Sequence, residues 1–242
     1  MNTEEEKPRF IIAHLYPFFF LIGLWLIKYV ELRFGYSFSD WGVYPRTIDG
    51  LRGIIFSPII HGDVNHLIGN SFPLLVLGTF IIYFFREISF KIIAYTWLIT
   101  GLVEWLIARP SYHIGASGII YGFAAFIFVS GIIRRDPRFM ALALIVVYLY
   151  GSMIWGILPT EEKISWEGHL AGALTGIVLA IAFRKQGPQR DKYQYELEEE
   201  EEEWQGEIPP DEPQTTNNMN SAEKPTVIRY IYRHGQNDAK PY

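Results

Sequence analysis

Apolar residues in this chain gather into long unbroken runs instead of the alternating or one-sided patterns of a water-soluble fold. FIIAHLYPFFFLIGLWLIKYV (10–30) and MALALIVVYLYGSMIWGIL (140–158) are the longest. Each approaches the ~20 residues that a helix needs to cross a bilayer's hydrocarbon core. Reading the pattern end to end predicts six spans, at about 10–30, 65–85, 89–108, 115–133, 139–158 and 167–184. The second and sixth are interrupted by glycines and polar residues. The class this implies is an all-α membrane protein.

The acidic N-terminus, MNTEEEKPRF, has no small-residue cleavage site behind its apolar run, so the first span is expected to stay as an anchor. With both termini inside, eleven Lys or Arg residues flank the inner span ends and six flank the outer ones. That excess fits the positive-inside rule. The first outer loop, about 31–64, contains SDWGVYPRTIDGLRGIIFSPIIHGD, too apolar for a linker. It is expected to lie in the membrane interface, packed on the bundle.

Charge divides the chain. From Asp191 to Tyr242 there are thirteen acidic and five basic side chains, a balance of −8 within a total of −5. The other 190 residues therefore carry +3, the difference between −5 and −8. The expected organisation is a cytoplasmic segment 1–9, a membrane domain 10–186 and an acidic tail 187–242. LEEEEEEW and the proline-rich stretch after it predict disorder in that tail, although TVIRYIYR near its end has the composition of a strand or docking segment. The absence of cysteine excludes disulfides, thiol nucleophiles and thiolate metal sites.

Polar side chains within spans are costly and mark function or a buried partner. In HGDVNHLIGN (61–70), His66 and Asn70 lie four apart on one helical face, with His61 before them and Asp63 or Asn65 placed to cap the helix. In HIGASGIIYGF (113–123), Ser117 can be an ordinary N-cap, and Gly118 with Gly122 a packing pair. Tyr121 shares the face of Ser117. In WEGHLAGALTG (166–176), Gly168, Gly172 and Gly176 form a stripe that admits a second backbone, with His169 beside it. His66, Ser117 and His169 all fall near the outer ends of their spans. A serine hydroxyl needs a base such as a neutral imidazole, and an oxyanion needs donors, which the Ser117 N–H, His66 and Asn70 can supply. Glu104, Glu167 and His113 read as interfacial or loop residues, and His14 as a packing residue. No HExxH motif is present for a metalloprotease, and Glu161-Glu162 falls in an outer loop.

Together, HGDVNHLIGN, GASGIIYG and GHLAG, in this order across six spans, resemble the signatures of the rhomboid intramembrane serine proteases over about residues 50–185. The resemblance implies a rhomboid-like six-transmembrane-helix bundle whose long first outer loop is interfacial. It implies a Ser117–His169 dyad, an oxyanion hole that includes His66 and Asn70, and supporting roles for His61, Gly115 and Tyr121. Its substrates would be transmembrane segments of other proteins in the lipid bilayer, with no cofactor, metal or nucleic acid. A bacterial inner membrane, with the site opening outward, is the expected location. The rhomboid Trp-Arg pair of the first loop is missing, since Gly42 follows Trp41 and Arg46 and Arg52 stand apart. The alternative reading is a catalytically inactive rhomboid-like protein that binds membrane clients. The client and the oligomeric state are not written in the sequence.

Overall fold

Two helices meet along bare backbone, and the rest of the bundle is arranged around that seam. The computed structural model describes residues 3–137, 139, 141, 142, 145, 148, 156–159 and 165–188, with side chains from Lys7 onward. All of these belong to the first of two compact units, Met1–Asp191. Most of the expected fifth span, and the acidic tail beyond residue 188, lie outside the described residues.

Six helices are described: α1 (Thr3–Phe34), the single turn α2 (Gly53–Phe56), α3 (Val64–Phe84), α4 (Ser89–Ile107), α5 (Ser117–Arg134) and α6 (Trp166–Ala182). No strand occurs among the described residues beyond one isolated bridge between Val43 and His113. Helices α1, α3, α4 and α5 are long and apolar enough to cross a membrane. At 17 residues α6 is shorter, about 26 Å at 1.5 Å per residue. This is a helical membrane bundle.

The α5–α6 seam follows from the glycine spacing. A methyl group on Gly172 would collide with the Gly118 carbonyl, and one on Gly176 with the Gly122 carbonyl. Only residues without a side chain let the backbones come this close, which is the physics of small-xxx-small packing. At one end of the bundle the seam opens into the polar residues described below. At the other it is closed by apolar packing. Phe85 and Phe126 meet edge to face with centroids 4.9 Å apart, beside the fully buried Leu77, Ile81, Ile92 and Ile127. There Arg134, on the last turn of α5, lies over the Phe85 ring. Its guanidinium donates to the carbonyls of Phe183, Gln186 and Pro188 at 3.0, 2.9 and 2.6 Å, so α5 satisfies acceptors that α6 and its exit leave open.

The first loop is packed on the bundle as expected, through backbone carbonyls. Trp97 Nε1 donates to the Ile54 carbonyl at 3.1 Å, and Trp105 Nε1 to the Thr47 carbonyl at 2.8 Å. Val43 and His113 exchange both backbone hydrogen bonds, at 2.9 and 2.8 Å. Ile48, 87% exposed, and the exposed Leu51 and Ile55 leave an apolar rim. Trp41 and Arg52, separated in the sequence, meet in space. The Arg52 guanidinium sits 5.2 Å from the Trp41 ring centroid and donates to the Asp40 carbonyl at 3.0 Å.

Candidate active site

The site is built where α3, α5 and α6 begin and α4 ends. Helix α3 starts because Asp63 caps it, accepting the His66 N–H at 2.8 Å. That bond holds the Asp63 carboxyl below the usual carboxylate range. Helix α5 does not take up the N-cap alternative for Ser117. Its N-cap is Ala116, which makes no side-chain cap, and Ser117 is the first helical residue. The Ser117 hydroxyl is therefore not used as a cap, and the Ser117 N–H is among the first-turn donors that lack an intrahelical acceptor.

Gly115 makes the approach to Ser117 possible for two reasons. Its φ of +112° lies in the region that side chains rarely adopt. A Cβ there would also stand 2.6 Å from His66 Cε1 and 2.7 Å from its Nε2. Gly115 N–H donates to the Ser57 carbonyl at 2.8 Å.

His169 Nε2 lies 2.8 Å from Ser117 Oγ. On the other side of the ring, Nδ1 lies 2.8 Å from the Gly156 carbonyl oxygen. A carbonyl can only accept, so Nδ1 carries the proton and Nε2 is left as a lone-pair acceptor for the serine hydroxyl. Tyr121 stacks on the imidazole, with centroids 4.2 Å apart and planes 10° from parallel. The ring is thus fixed at both nitrogens and on one face.

His66 and Asn70 stand one turn apart on α3, and both reach Gly115, where an added Cβ would lie 3.8 Å from Asn70 Nδ2. Asn70 is buried, and its Nδ2 has no hydrogen-bond partner. A buried donor left without an acceptor is uncommon and costly. His61 packs edge-on against His66, with centroids 5.1 Å apart, and its Nε2 accepts the Ala116 N–H at 3.4 Å. Burial, and the nearby His66 imidazole, push the His61 pKa down from 6.5 to about 4. A cavity of about 20 Å³, lined in part by Ser57, Thr100, Glu104 and Ser117, lies beside the serine. That is room for about one water.

The structure thus gathers the seven residues singled out by the motifs: Ser117, His169, His66, Asn70, His61, Gly115 and Tyr121. Three others are more enclosed than the sequence reading had them. Glu104 and Glu167, read as interfacial, are buried in the protein at 8% and 3% exposure, and His113, in a loop as expected, is buried at 2%. Glu167 does point away from His169, accepting the Arg109 N–H at 3.3 Å. His14 is a packing residue on α1, between Phe10 and Phe18 and 3.2 Å from Thr79 Oγ1. Among the described residues no three His, Asp or Glu side chains are arranged to hold a metal.

The rhomboid domain family matches residues 49–186, which takes in every residue of this site. The chain belongs to the rhomboid family. Rhomboids are in general intramembrane serine proteases. Similar proteins occur in mycobacteria, all named as uncharacterized. Those of Mycobacterium bovis and Mycobacterium tuberculosis are each 34% identical over 184 residues, covering 72% of this chain and 77% of theirs. One of Mycobacterium leprae is 32% identical over 189 residues, covering 74% and 75%. Trp41 lies ahead of the matched region while Arg52 falls inside it, so the two partners of that loop contact straddle its boundary.

Proposed function

We infer that this rhomboid is an active intramembrane serine endopeptidase that cuts peptide bonds in or near transmembrane segments. The observation that carries the reading is the Ser117–His169 geometry. One imidazole nitrogen is committed to the Gly156 carbonyl, which leaves the other 2.8 Å from the serine hydroxyl as a base.

In the proposed reaction His169 Nε2 takes the Ser117 proton as Oγ bonds to the scissile carbonyl carbon. The carbonyl π electrons move to oxygen, and the resulting oxyanion accepts from the Ser117 N–H, Asn70 Nδ2 and His66. The unpartnered Nδ2 of Asn70 supports this role, because a preorganised donor costs no reorganisation when charge develops. His169 then passes its proton to the leaving amine as the C–N bond breaks. Water, deprotonated by His169, adds to the acyl carbonyl carbon, and as the ester C–O bond breaks His169 returns the proton to Ser117 Oγ. Tyr121 holds the imidazole plane, His61 holds the Ala116 N–H, and Gly115 keeps space for His66.

We place the protein in a bacterial cytoplasmic membrane, with six spans in residues 10–186, both termini inside and the site opening outward. The eleven-to-six distribution of basic residues supports this orientation. The substrate is a helical segment able to unwind into the site. Reconstituted wild type is expected to cleave a transmembrane model substrate, and Ser117→Ala and His169→Ala to be inactive at unchanged melting temperature. Continued cleavage by purified Ser117→Ala would sink the assignment.

A further inference from the structure

Beside the dyad lies a second buried polar assembly that the reaction above does not use. Glu104 ends α4, His113 sits four residues before Ser117, and Ser165 precedes α6, four residues before His169. Ser165 Oγ is 2.7 Å from Glu104 Oε1 and 2.6 Å from His113 Nδ1. Glu104 Oε1 and His113 Nδ1 are themselves 3.5 Å apart. The far nitrogen of His113, Nε2, is 3.0 Å from the Arg109 carbonyl and so carries a proton. Ser111 Oγ also approaches it, at 3.2 Å.

Counting hydrogens decides how this assembly works. Ser165 has one hydroxyl hydrogen and stands between two groups that can both accept it. If Glu104 is ionised and takes that hydrogen, Ser165 Oγ must receive one from His113 Nδ1, and His113 is a cation. If His113 is neutral, Ser165 donates to Nδ1, and Glu104 must be protonated to donate to Ser165. Both states are complete and both hold one proton shared along the Glu104–Ser165–His113 row. Removing it leaves a carboxylate and an imidazole lone pair competing for a single hydrogen in a buried site, where an unmade bond is expensive.

Both arms of the dyad hang from this row. The His169 N–H donates to the Ser165 carbonyl at 3.2 Å. A methyl on Gly168 would collide with the Glu104 carboxylate, so the first turn of α6 rests directly on it. His113 is paired through its backbone to Val43 and through its ring to Ser165, which fixes the segment leading to Ser117. Among the described residues, the other charged groups around the row are Glu167 on α6, held by the Arg109 N–H, Arg109 itself, 3.7 Å from Glu167, and Arg46, which donates to the Leu106 carbonyl at 3.2 Å.

We propose that Glu104, with Ser165 and His113, is a positioning residue that sets the Ser117–His169 separation through one shared proton. The proposal rests on the dyad reading. It predicts that Gln can replace Glu104, because the carboxamide N–H donates to Ser165 Oγ and Ser165 donates to neutral His113 without a titratable proton. Ala cannot replace it.

The test follows the rate at which a fluorophosphonate probe labels Ser117 in the full-length protein, from about pH 5 to pH 10, beside the melting temperature at each pH. At neutral pH Glu104→Gln is expected within about threefold of wild type, and Glu104→Ala about 100-fold slower, the scale of a misplacement near 1 Å. As pH rises the wild-type rate falls when the shared proton leaves, and its melting temperature falls with it, because the folded row is then one hydrogen short. Glu104→Gln loses that alkaline fall in both measurements. Ser165→Ala, which lets Glu104 and His113 pair directly, keeps it. An unchanged alkaline fall in Glu104→Gln, or Glu104→Ala labelling like wild type, would overturn the proposal. Failure of the dyad reading looks different: wild type does not label at any pH, while the melting profiles still judge the row.

Discussion

The two ends of the α5–α6 seam are built on opposite principles. At the Arg134 end, apart from the guanidinium's own hydrogen bonds, the contacts are apolar and interchangeable in kind: Phe85 against Phe126, with Leu77, Ile81 and Ile127 around them. At the Ser117 end the same two helices hold an imidazole bonded at both nitrogens and a serine that does not serve as a cap, and α3 brings up to them a buried amide donor with no partner. One end can be perturbed by degrees, since dispersion contacts are many and individually small. The other is defined by single distances, where about 1 Å of displacement is costly. The fold is secured away from the chemistry, which leaves the site free to keep an unsatisfied donor that a well-packed core would not retain.

The largest effect expected is the loss of this distinction altogether. Gly172→Val places a side chain against the Gly118 carbonyl in mid-seam, so neither end can form, and no folded, labelling-competent protein should survive detergent extraction. Next come two substitutions that separate the ends. Phe126→Ala removes the centre of the apolar end and should cost about 3–5 kcal/mol of stability. The surviving folded fraction should label at close to the wild-type rate. Asn70→Ala should do the reverse, lowering cleavage by about 10²–10³ with the melting temperature within error of wild type. If Asn70→Ala is kinetically silent, its oxyanion role is wrong. If Phe126→Ala slows labelling as much as it destabilises, the ends are not independent.

A smaller effect concerns His61. Its pKa falls from 6.5 to about 4 on folding, because burial disfavours the imidazolium and the His66 imidazole stands beside it. The depressed value means that this contribution to stability is full above pH 6.5 and is lost as pH falls through 4. Wild-type melting temperature should therefore drop on acidification more steeply than that of His61→Gln. Parallel curves would remove His61 as the cause. Smallest of all, Arg52→Ala should cost about 0.5–1 kcal/mol through the Trp41 contact, read as a slight shift in melting, with labelling unchanged.

How much of this was legible in the chain differs by the kind of signal. Spans α1, α3, α4 and α5 follow from apolar length, and the α5–α6 seam from glycines four apart. Ser117, His169, His66 and Asn70 stood out because polar groups within apolar runs are costly, so each one needs a reason. Glu104 and His113 failed to stand out because a polar residue at a span's end or in a loop has an obvious home at the interface or in water. Only tertiary contact with Ser165 reveals that both are buried. Gly156 left no trace at all, since it acts through a backbone carbonyl that every residue possesses. The helix register at Ala116–Ser117 was equally hidden, because Ser favours the N-cap position by propensity and the Gly115 turn overrides it. Trp41 and Arg52 illustrate the same limit, as a pair separated in sequence and joined by the fold.

The central claim is that Ser117 is a nucleophile activated by His169. The most direct measurement is covalent labelling of the purified full-length protein by a fluorophosphonate, with the modified residue located by mass spectrometry. The account predicts an adduct on Ser117 in wild type, none in Ser117→Ala, and at most a trace in His169→Ala. An adduct that persists at full rate in His169→Ala, or wild type that stays unlabelled while folded, would contradict it.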